Sequence, residues 1–544
     1  MKILFIATRK NCDPQDRELY EMDLMNRVLG FKRSLFDLGL YTVAACTPPD
    51  VEVELHDEYL APIDYGTDAD LIALSAKTSA VARAYQVAEE LRRRGKKVVL
   101  GGIHASLRPQ EALEHVDHVV VGEAERSWPR FVELFRKGEA PRLMPSDGFM
   151  EMAEIPVPRW DRASYKQFLF HQVQTTRGCP FTCRFCSVPD ISGNAFRFKP
   201  PERVVEEIRA FPRTGPVRDK IRALYFVDDN FISRPSATHA LLDALIPLRK
   251  GGELGEWSAE TTLNVAADQK LLDKFAEAGC STLVIGFESV SEDTLLEMDK
   301  KVNFALTYQE AIRRVHDRGM SIVGNFIVGF DTDTLRVFDD TLQFIEDNLI
   351  LYPFFSILTP MPGTRLHDDY KEAGRLDHTE WGLYDTRHVV FEPKQMSREQ
   401  LMDGYIWLYE QAYASPRALD RLERYWATFR RRRSTALENA FIRFKLRKVR
   451  GQSARLDAMM DDGLRRLARR DHRSDVGQLL YYLDSADFVD YLDRFRSPRY
   501  AEHASLFQSG RAAPEAAKQW EHDRRRRIPR AAPRQPGRTD SPTA

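Results

Sequence analysis

Three cysteines lie close together in the segment Thr176-Arg-Gly-Cys179-Pro-Phe-Thr-Cys183-Arg-Phe-Cys186. The spacing C-x3-C-x2-C lets one irregular loop place three thiolates around a single inorganic cluster. A [4Fe-4S] cluster that only transfers electrons normally uses four cysteines, and no fourth cysteine lies nearby. One iron would therefore stay open to bind a substrate. The segment predicts a catalytic [4Fe-4S] cluster on these cysteines, with Arg177 offsetting its charge.

Two other interpretations of the cysteines stay open. A structural zinc site would need four ligands, usually with a second Cys or His pair nearby. Alternatively, the three cysteines are buried and hold no metal. The chain has only six cysteines in 544 residues, which does not suggest a disulfide framework. Cys280, which precedes a predicted strand, is interpreted as a small core residue.

The elements that must position the cysteines form a series of alternating strands and helices. Six short apolar segments predict strands, at residues 171–176, 223–227, 257–263, 282–288, 322–328 and 354–359. Six strand-helix units are too few for a closed eight-stranded barrel, so an open, partial (β/α)6 barrel is expected. Chemistry in such folds collects at the C-terminal ends of the strands. The cysteines directly follow the first strand of the series.

In this context, the cysteine motif resembles the signature of the radical S-adenosylmethionine superfamily, and the resemblance covers residues 165–365. It implies that the open iron chelates the amino and carboxylate groups of S-adenosylmethionine. It further implies reductive cleavage to a 5′-deoxyadenosyl radical, which abstracts a hydrogen atom from the substrate. Phe185 corresponds to the family position that packs beside the adenine.

The resemblance points to further cofactor contacts at the strand ends. Asp228, Asp229 and Asn230 follow the second strand, where the family contacts the methionine amino group, although these residue types also suit a turn or helix cap. Glu260 and the pair Glu288-Ser289 end the third and fourth strands. A carboxylate there would hold the ribose hydroxyls or form an internal salt bridge.

The fifth strand carries a weaker match. Asn325-Phe-Ile-Val-Gly329 lies where the family has a Gly-x-Ile-x-Gly motif that contacts adenine, and Asn325 replaces the first glycine. A buried strand that ends in a tight turn would explain the same residues. Asn325 and Gly329 are therefore predicted to contact the cofactor, or alternatively to have only a structural role in the strand and turn.

Residues 1–145 show a separate alternation of strands and helices, with strands predicted at 2–7, 42–46, 71–75, 97–100 and 118–121. This spacing predicts a doubly wound, Rossmann-like α/β domain with a parallel sheet covered on both faces. Ligands of such sheets bind at the carboxyl ends of the strands. Small and polar loop residues follow three of these strands.

A sheet domain placed before a radical barrel resembles the cobalamin-binding domain of the class B radical methylases. The implied cobalamin contacts lie in the three loops and are Ser75, Lys77, Thr78, Gly101, Gly102, His104, Gly122 and Glu123. The loop at 8–14 lacks the Asp-x-His-x-x-Gly motif that ligates cobalt in other cobalamin proteins. His104 also suits a plain loop histidine. A sheet that binds nothing, or that binds the substrate, is the alternative.

Segments 225–231, 260–264, 361–365 and 394–414 resemble the hopanoid methylase subgroup. The resemblance implies cobalamin-dependent C-methylation of an unactivated carbon, in which one S-adenosylmethionine gives the radical and a second methylates cobalamin. An enzyme of the same architecture that cyclises or rearranges its substrate is the alternative. A non-catalytic iron–sulfur electron-transfer or regulatory protein is the alternative from another class.

Composition places limits on partners and location. The net charge is −1, so no overall field attracts nucleic acid. No apolar run approaches the ~18 residues that span a bilayer, and the apolar start is too short for a signal peptide, so a cytoplasmic protein is expected. A small-molecule or lipid substrate and a reductant such as flavodoxin or ferredoxin are the expected partners.

The predicted organisation is a cobalamin-binding-like domain at 1–145, a linker at 146–165, a radical barrel at 166–366, a helical region at 367–510 and a disordered basic tail at 511–544. Basic clusters occur at 430–433, 445–450 and 524–527. They are interpreted as solvated helix faces, or alternatively as a peripheral contact with an anionic membrane.

Overall fold

The structure is a computed structural model that describes residues 1–10, 19–160, 162–213, 222–232, 234–300, 307–376, 378–429, 444, 446–469 and 476–508. The tail at 511–544 and the basic clusters at 430–433 and 524–527, all singled out in the sequence, lie outside these residues. The described part contains two parallel six-stranded sheets and a helical C-terminal region.

The first sheet is formed by the N-terminal residues. Its strands are β1 (Lys2–Ala7), β2 (Glu52–Asp57), β3 (Leu71–Ser75), β4 (Lys97–Gly101), β5 (His118–Val120) and β6 (Leu143–Met144). The accompanying helices are α1 (Asp23–Leu29), α2 (Leu38–Ala45), α3 (Val81–Arg93), α4 (Ile103–Leu107), α5 (Pro109–His115), α6 (Ser127–Arg136) and α7 (Arg162–Tyr165). Alternate residues of β1 enter two separate cores, since Ile3 and Phe5 pack in one and Leu4 and Ile6 in the other. Apolar cores on both faces confirm the doubly wound fold.

The strand order β2-β1-β3-β4-β5-β6 creates a switch point between β1 and β3, because the chain leaves β1 toward one side and returns on the other. Open α/β sheets bind ligands in the crevice at such a point. Ala7, Ser75 and Gly101 are paired in register across β1, β3 and β4, so the loops after these strands begin at one level.

One predicted strand of this sheet was wrong. Residues 42–46 belong to the end of helix α2 and its cap, and the strand is β2, ten residues later. Asp37 caps α2, with its side chain accepting a hydrogen bond from the backbone N–H of Leu40. This cap and burial of the helix face outweigh the strand preference of Thr42 and Val43.

The second sheet has the strand order β14-β13-β12-β11-β10-β7 and is parallel throughout, which confirms the open six-unit barrel. Its strands are β7 (His171–Val173), β10 (Leu224–Phe226), β11 (Trp257–Thr261), β12 (Cys280–Glu288), β13 (Ser321–Val328) and β14 (Tyr352–Ile357). A short antiparallel pair, β8 (Thr176–Arg177) and β9 (Arg197–Phe198), flanks the cysteine segment.

The barrel helices cover one face of this sheet. They are α8 (Val188–Ser192), α9 (Pro201–Arg209), α10 (Pro235–Lys250), α11 (Gln269–Glu277), α12 (Glu292–Glu297), α13 (Tyr308–His316) and α14 (Arg336–Asp347). Along β11 to β14, fully buried residues alternate with half-buried ones. Buried residues such as Ala259 and Phe326 belong to the large core, so the half-buried ones face the concave side of the barrel.

The C-terminal region is helical, as predicted. Its helices are α15 (Arg365–Glu372), α16 (Arg398–Ala412), α17 (Ser415–Thr428), α18 (Ala454–Arg469), α19 (Val476–Leu492) and α20 (Tyr500–Gln508). It contacts both sheets: Tyr409 in α16 bonds the backbone of Phe355, and Trp381 donates a hydrogen bond to Glu111 of the first domain. Within the described ranges, none of the helices has the length and apolarity that a bilayer crossing requires.

Candidate functional site

The cysteine segment forms the loop between β8 and α8, at the C-terminal end of the barrel strands. Gly178 starts this loop with φ 84°, and a Cβ atom there would lie 2.3 Å from the carbonyl oxygen of Ala195. Only glycine fits this turn. The backbone N–H of Cys179 donates to Gly193, and that of Cys186 donates to Cys183. These bonds fold the loop so that the three cysteines share one region.

The three thiols lie within electrostatic range of one another. Burial raises the pKa of each thiol, that of Cys186 to about 11, and a neighbouring cysteine adds to each rise. The free thiols are therefore protonated near neutral pH, and binding of a metal cluster releases their protons. Within the described residues, no three Cys, His, Asp or Glu side chains converge as the ligands of one metal ion.

Arg177, predicted to offset the charge of the cluster, is paired with carboxylates of the first domain. Its guanidinium binds Glu123 at 3.0 Å and Glu125 at 2.7 Å, both in the loop after β5 of the first sheet. Lys300, which the sequence did not single out, is instead the cation that lowers the pKa of all three thiols against the effect of burial. The correction arises because residues that are far apart in the sequence meet only in the folded chain.

The three polar residues after β10 have different environments. Asp228 is buried and accepts hydrogen bonds from the backbone N–H groups of Thr175 and Thr176 and from the Thr175 hydroxyl. Burial raises its pKa to about 7. Asp229 accepts a hydrogen bond from the N–H of Gly178 at 3.0 Å, directly before the first cysteine. Asn230 is buried and donates to Thr262. These residues tie the end of β10 to the cysteine loop.

Glu260 lies on the concave side of β11 and accepts a 2.5 Å hydrogen bond from the hydroxyl of Tyr225 in β10. Burial raises the pKa of both groups, and Asp229 adds to the rise at Glu260. Lys77, from the loop after β3 of the first sheet, attracts Glu260 electrostatically. The carboxyl edge of the first sheet therefore faces the mouth of the barrel.

The remaining barrel candidates lie on β12, β13 and the cysteine loop. Glu288 adopts a left-handed φ of 62° and binds Lys300, while Ser289 is buried and accepts a hydrogen bond from Tyr308 through its carbonyl. Asn325 is half-buried on the concave face, paired in register with Gly286 and Phe354. Gly329 is buried after β13, and its backbone N–H donates to the carboxylate of Asp333. Phe185 is half-buried in the cysteine loop and packs edge-on against Phe330.

At the carboxyl edge of the first sheet, Ser75 and Gly101 are half-buried and Lys77 is exposed. Gly102 has φ 92°, and a Cβ there would lie 2.9 Å from the backbone nitrogen of Ala76. The glycine is thus required by the close approach of two loops of this chain. Among the described residues, the buried hydroxyl of Thr8 at the end of β1 has no hydrogen-bond partner, and Ile103 is 36% exposed. An unpartnered hydroxyl and an exposed apolar side chain at one edge fit a large amphipathic ligand such as cobalamin.

Thr78 and His104 are both buried. His104 is fully buried, with one ring nitrogen 3.3 Å from the Thr78 hydroxyl and the other 3.2 Å from Glu111. Its ring also contacts Tyr85 and Trp381. Both nitrogens are therefore used inside the domain, and the two residues form part of its core.

Gly122 and Glu123 belong to the interface between the two sheets. Gly122 has φ 76°, and its N–H donates to Ser106. Glu123 binds Arg177 and also Arg197 of β9, so the arginines flanking the cysteine loop both contact the loop after β5. Three residues of this region were not predicted from the sequence, namely Arg197, Lys300 and Tyr225. Of these, only Tyr225 could have been predicted from the sequence. It alternates with apolar residues in the predicted strand that precedes the strand of Glu260, so its side chain is expected on the same face as that of Glu260.

Comparison with known proteins identifies both parts of the chain. Residues 173–345 match the radical SAM superfamily, and residues 31–132 match the B12 binding domain. The chain is 31% identical over 398 residues to bacteriochlorophyllide d C-12(1)-methyltransferase of Chlorobaculum tepidum, which covers 71% of this chain and 84% of the relative. It is 29% identical over 348 residues to hopanoid C-2 methylase of Rhodopseudomonas palustris, which covers 62% of this chain and 65% of that relative.

Solved structures share the fold. The cobalamin-dependent S-adenosylmethionine radical enzyme OxsB, solved with aqua-cobalamin and S-adenosylmethionine, superposes with a TM-score of 0.57 at 13% identity and covers 93% of this chain and 83% of its own. The radical S-adenosylmethionine methyltransferase TsrM of Kitasatospora setae gives a TM-score of 0.54 at 17% identity, covering 68% and 76%. The chain belongs to the cobalamin-dependent radical S-adenosylmethionine enzymes, which use a [4Fe-4S] cluster, S-adenosylmethionine and cobalamin.

Proposed function

We propose that this enzyme transfers a methyl group to an unactivated carbon, with the cluster on Cys179, Cys183 and Cys186 and cobalamin at the carboxyl edge of the first sheet. One observation carries the proposal. Arg177 and Arg197, on either side of the cysteine loop, bind Glu123 in the loop after β5. Because of this contact, the two cofactor regions face each other across the domain interface.

The three cofactors, when bound, supply a hydrogen-abstracting radical and a methyl group. The chain's own groups hold the site rigid. Asp228 fixes the approach of the chain from β7 to the cysteine loop, and Tyr225 fixes Glu260 at the barrel mouth. A rigid, enclosed site keeps reactive centres at a fixed separation and excludes water.

The proposed S-adenosylmethionine contacts are those that lie around the barrel mouth. Asp229 and Glu260 supply half-buried carboxylates, and Asn325 supplies an amide on the concave face. Phe185, Asn230, Glu288, Ser289 and Gly329 complete the set. Asp228 is reassigned as a positioning residue, because both of its carboxylate oxygens accept hydrogen bonds from Thr175 or Thr176.

For cobalamin, the proposed contacts are Ser75, Lys77 and Gly101, together with Thr8 and Ile103. Gly102 and Gly122 allow close approach of the backbone in the loops after β4 and β5. Glu123 links the loop after β5 to the barrel through its ion pair with Arg197. His104 and Thr78 are withdrawn from the set, since they bind each other inside the domain. The names of two relatives supply precedents for an acceptor, namely the bacteriochlorophyllides and the hopanoids. A cytoplasmic flavodoxin or ferredoxin is the proposed source of electrons.

The deciding experiment is anaerobic purification with cobalamin supplied, followed by iron, sulfide and cobalt analysis. The wild-type protein and Cys280→Ala, which changes a buried core thiol, should each hold one [4Fe-4S] cluster. Alanine variants of Cys179, Cys183 or Cys186 should lose it while still binding cobalt. Equal iron in all of these variants would contradict the assignment.

Product analysis then tests the reaction. Methylation predicts S-adenosylhomocysteine and 5′-deoxyadenosine together with a methylated bacteriochlorophyllide or hopanoid acceptor. A second candidate is favoured by a 25% identity over 370 residues to the anaerobic magnesium-protoporphyrin IX monomethyl ester cyclase of Cereibacter sphaeroides. Cyclisation predicts 5′-deoxyadenosine without S-adenosylhomocysteine, so the two products separate the candidates.

A further inference from the structure

The chain that follows α12 packs directly on the cysteine loop. The hydroxyl of Thr182 donates to the carboxylate of Asp299 at 2.8 Å, and the backbone N–H of Arg184 donates to the carbonyl of Met298 at 3.3 Å. Thr182 and Arg184 are the immediate neighbours of Cys183. These two bonds therefore fix residues 298–299, and with them Lys300, beside the candidate cluster.

Lys300 is held there by one carboxylate. Its side chain is 11% exposed, and its Nζ lies 2.8 Å from Oε1 of Glu288. That oxygen folds back over Gly286. A Cβ atom added to Gly286 would lie only 2.3 Å from this oxygen and 3.6 Å from the Nζ of Lys300. Glu288 reaches this position with a left-handed backbone, which costs about 1–3 kcal/mol for a non-glycine residue. A glutamate with a left-handed backbone, whose carboxylate packs over Gly286, thus holds one ammonium group in place.

The charges around the thiols make this ammonium significant. Although burial opposes it, the pKa of Lys300 is raised by Glu288 and by Cys183 and Cys186. Arg177, the cation nearest in sequence to the first cysteine, is engaged by Glu123 and Glu125 instead. The fold therefore supplies a buried ammonium group beside the cysteine loop, separate from the ion pairs of Arg177.

We infer that Lys300 is a positioning residue whose ammonium, held by Glu288, stabilises the one-electron-reduced state of the cluster and so makes it easier to reduce. The inference rests on the proposed cluster site. Reduction adds one electron, from a flavodoxin- or ferredoxin-type donor, to a cluster that already carries negative thiolates. A fixed positive charge in a low-dielectric surrounding lowers the energy of that added charge.

The test compares midpoint potentials of the cluster, measured by EPR-monitored redox titration of anaerobic holoprotein without S-adenosylmethionine. Lys300→Met should shift the potential to a more negative value. Lys300→Arg, which keeps the positive charge, should have a potential close to that of the wild type. Lys250→Met is the control, since Lys250 is exposed and pairs with Glu277 far from the cluster. Its potential should equal that of the wild type.

Glu288→Gln should shift the midpoint potential of the cluster in the opposite direction. Removing the negative charge while keeping Lys300 should make the potential less negative, whereas general loosening of the loop would move both variants in one direction. If Lys300→Met fails to assemble a cluster, the sign in Glu288→Gln decides. Unchanged potentials, or shifts of the same sign, would overturn the inference and leave Lys300 as a ligand of S-adenosylmethionine or a packing residue. A wild-type protein without a cluster would instead refute the proposed site.

Discussion

Replacing Glu123 by glutamine should loosen the junction between the two cofactor regions. Glu123 accepts from Arg177 at 3.0 Å and from both terminal nitrogens of Arg197, one of them at 3.0 Å. A glutamine keeps the shape but removes the charge and turns an NH2 group toward arginine donors. Arg177 keeps Glu125, whereas Arg197 is left with the carbonyls of Ser192 and Met150.

The size of the effect follows from burial. Arg177, Glu123 and Arg197 are exposed by only 11%, 8% and 17%, so the ion pairs are largely shielded from water. Removing one partner of a buried pair costs about 3–5 kcal/mol, mainly because the remaining charge loses its compensation. At 1.36 kcal/mol per factor of ten, this corresponds to roughly 10²- to 10⁴-fold more frequent opening of the junction.

Amide hydrogen exchange measures this opening directly, since exchange of a protected amide tracks the free energy of local unfolding. Peptides covering 121–126 and 176–180 should exchange faster in Glu123→Gln by that factor, while those covering β1 should not change. Glu133→Gln, on the exposed face of α6, is the matched control and should behave as the wild type. Increases below tenfold at both junction peptides, or an equal increase in the control, would refute the reasoning.

Two further predictions concern packing and pH. Gly404→Ala should destabilise the protein by about 1–3 kcal/mol in urea unfolding, because the new Cβ would lie 2.1 Å from the buried ring of Phe338. Gly39→Ala in α2 should instead be neutral or stabilising by up to ~1 kcal/mol, since its nearest neighbour is 3.5 Å away; equal losses would contradict the packing argument. For Asp333, burial raises the pKa from 3.8 to about 7, so its contribution to stability is present below about pH 4 and is lost as the pH rises through about 7. Asp333→Asn should therefore show a smaller fall in the free energy of unfolding between about pH 4 and 7, and an unchanged fall would show that the two N–H donors to Asp333 outweigh burial.

The sequence by itself predicted the two sheets and the family. Strand-helix alternation is a local pattern with a short period, and it specifies a parallel sheet wherever apolar runs recur at this spacing. The cysteine spacing is likewise local, because one loop must hold all three thiols. Even here the local signal failed at 42–46, where an aspartate cap and helix packing outweighed the strand preference of single residues, and it did not predict β2 or β6.

The tertiary structure alone decided which charges face the cysteines. Arg177 was expected to offset the cluster because it is two residues from Cys179, yet it binds Glu123 and Glu125 of the other sheet. Lys300 reaches the thiols from a position more than a hundred residues away, held by Glu288. Electrostatic partners depend on distance through space and on burial, and neither quantity is written in the spacing of residues along the chain.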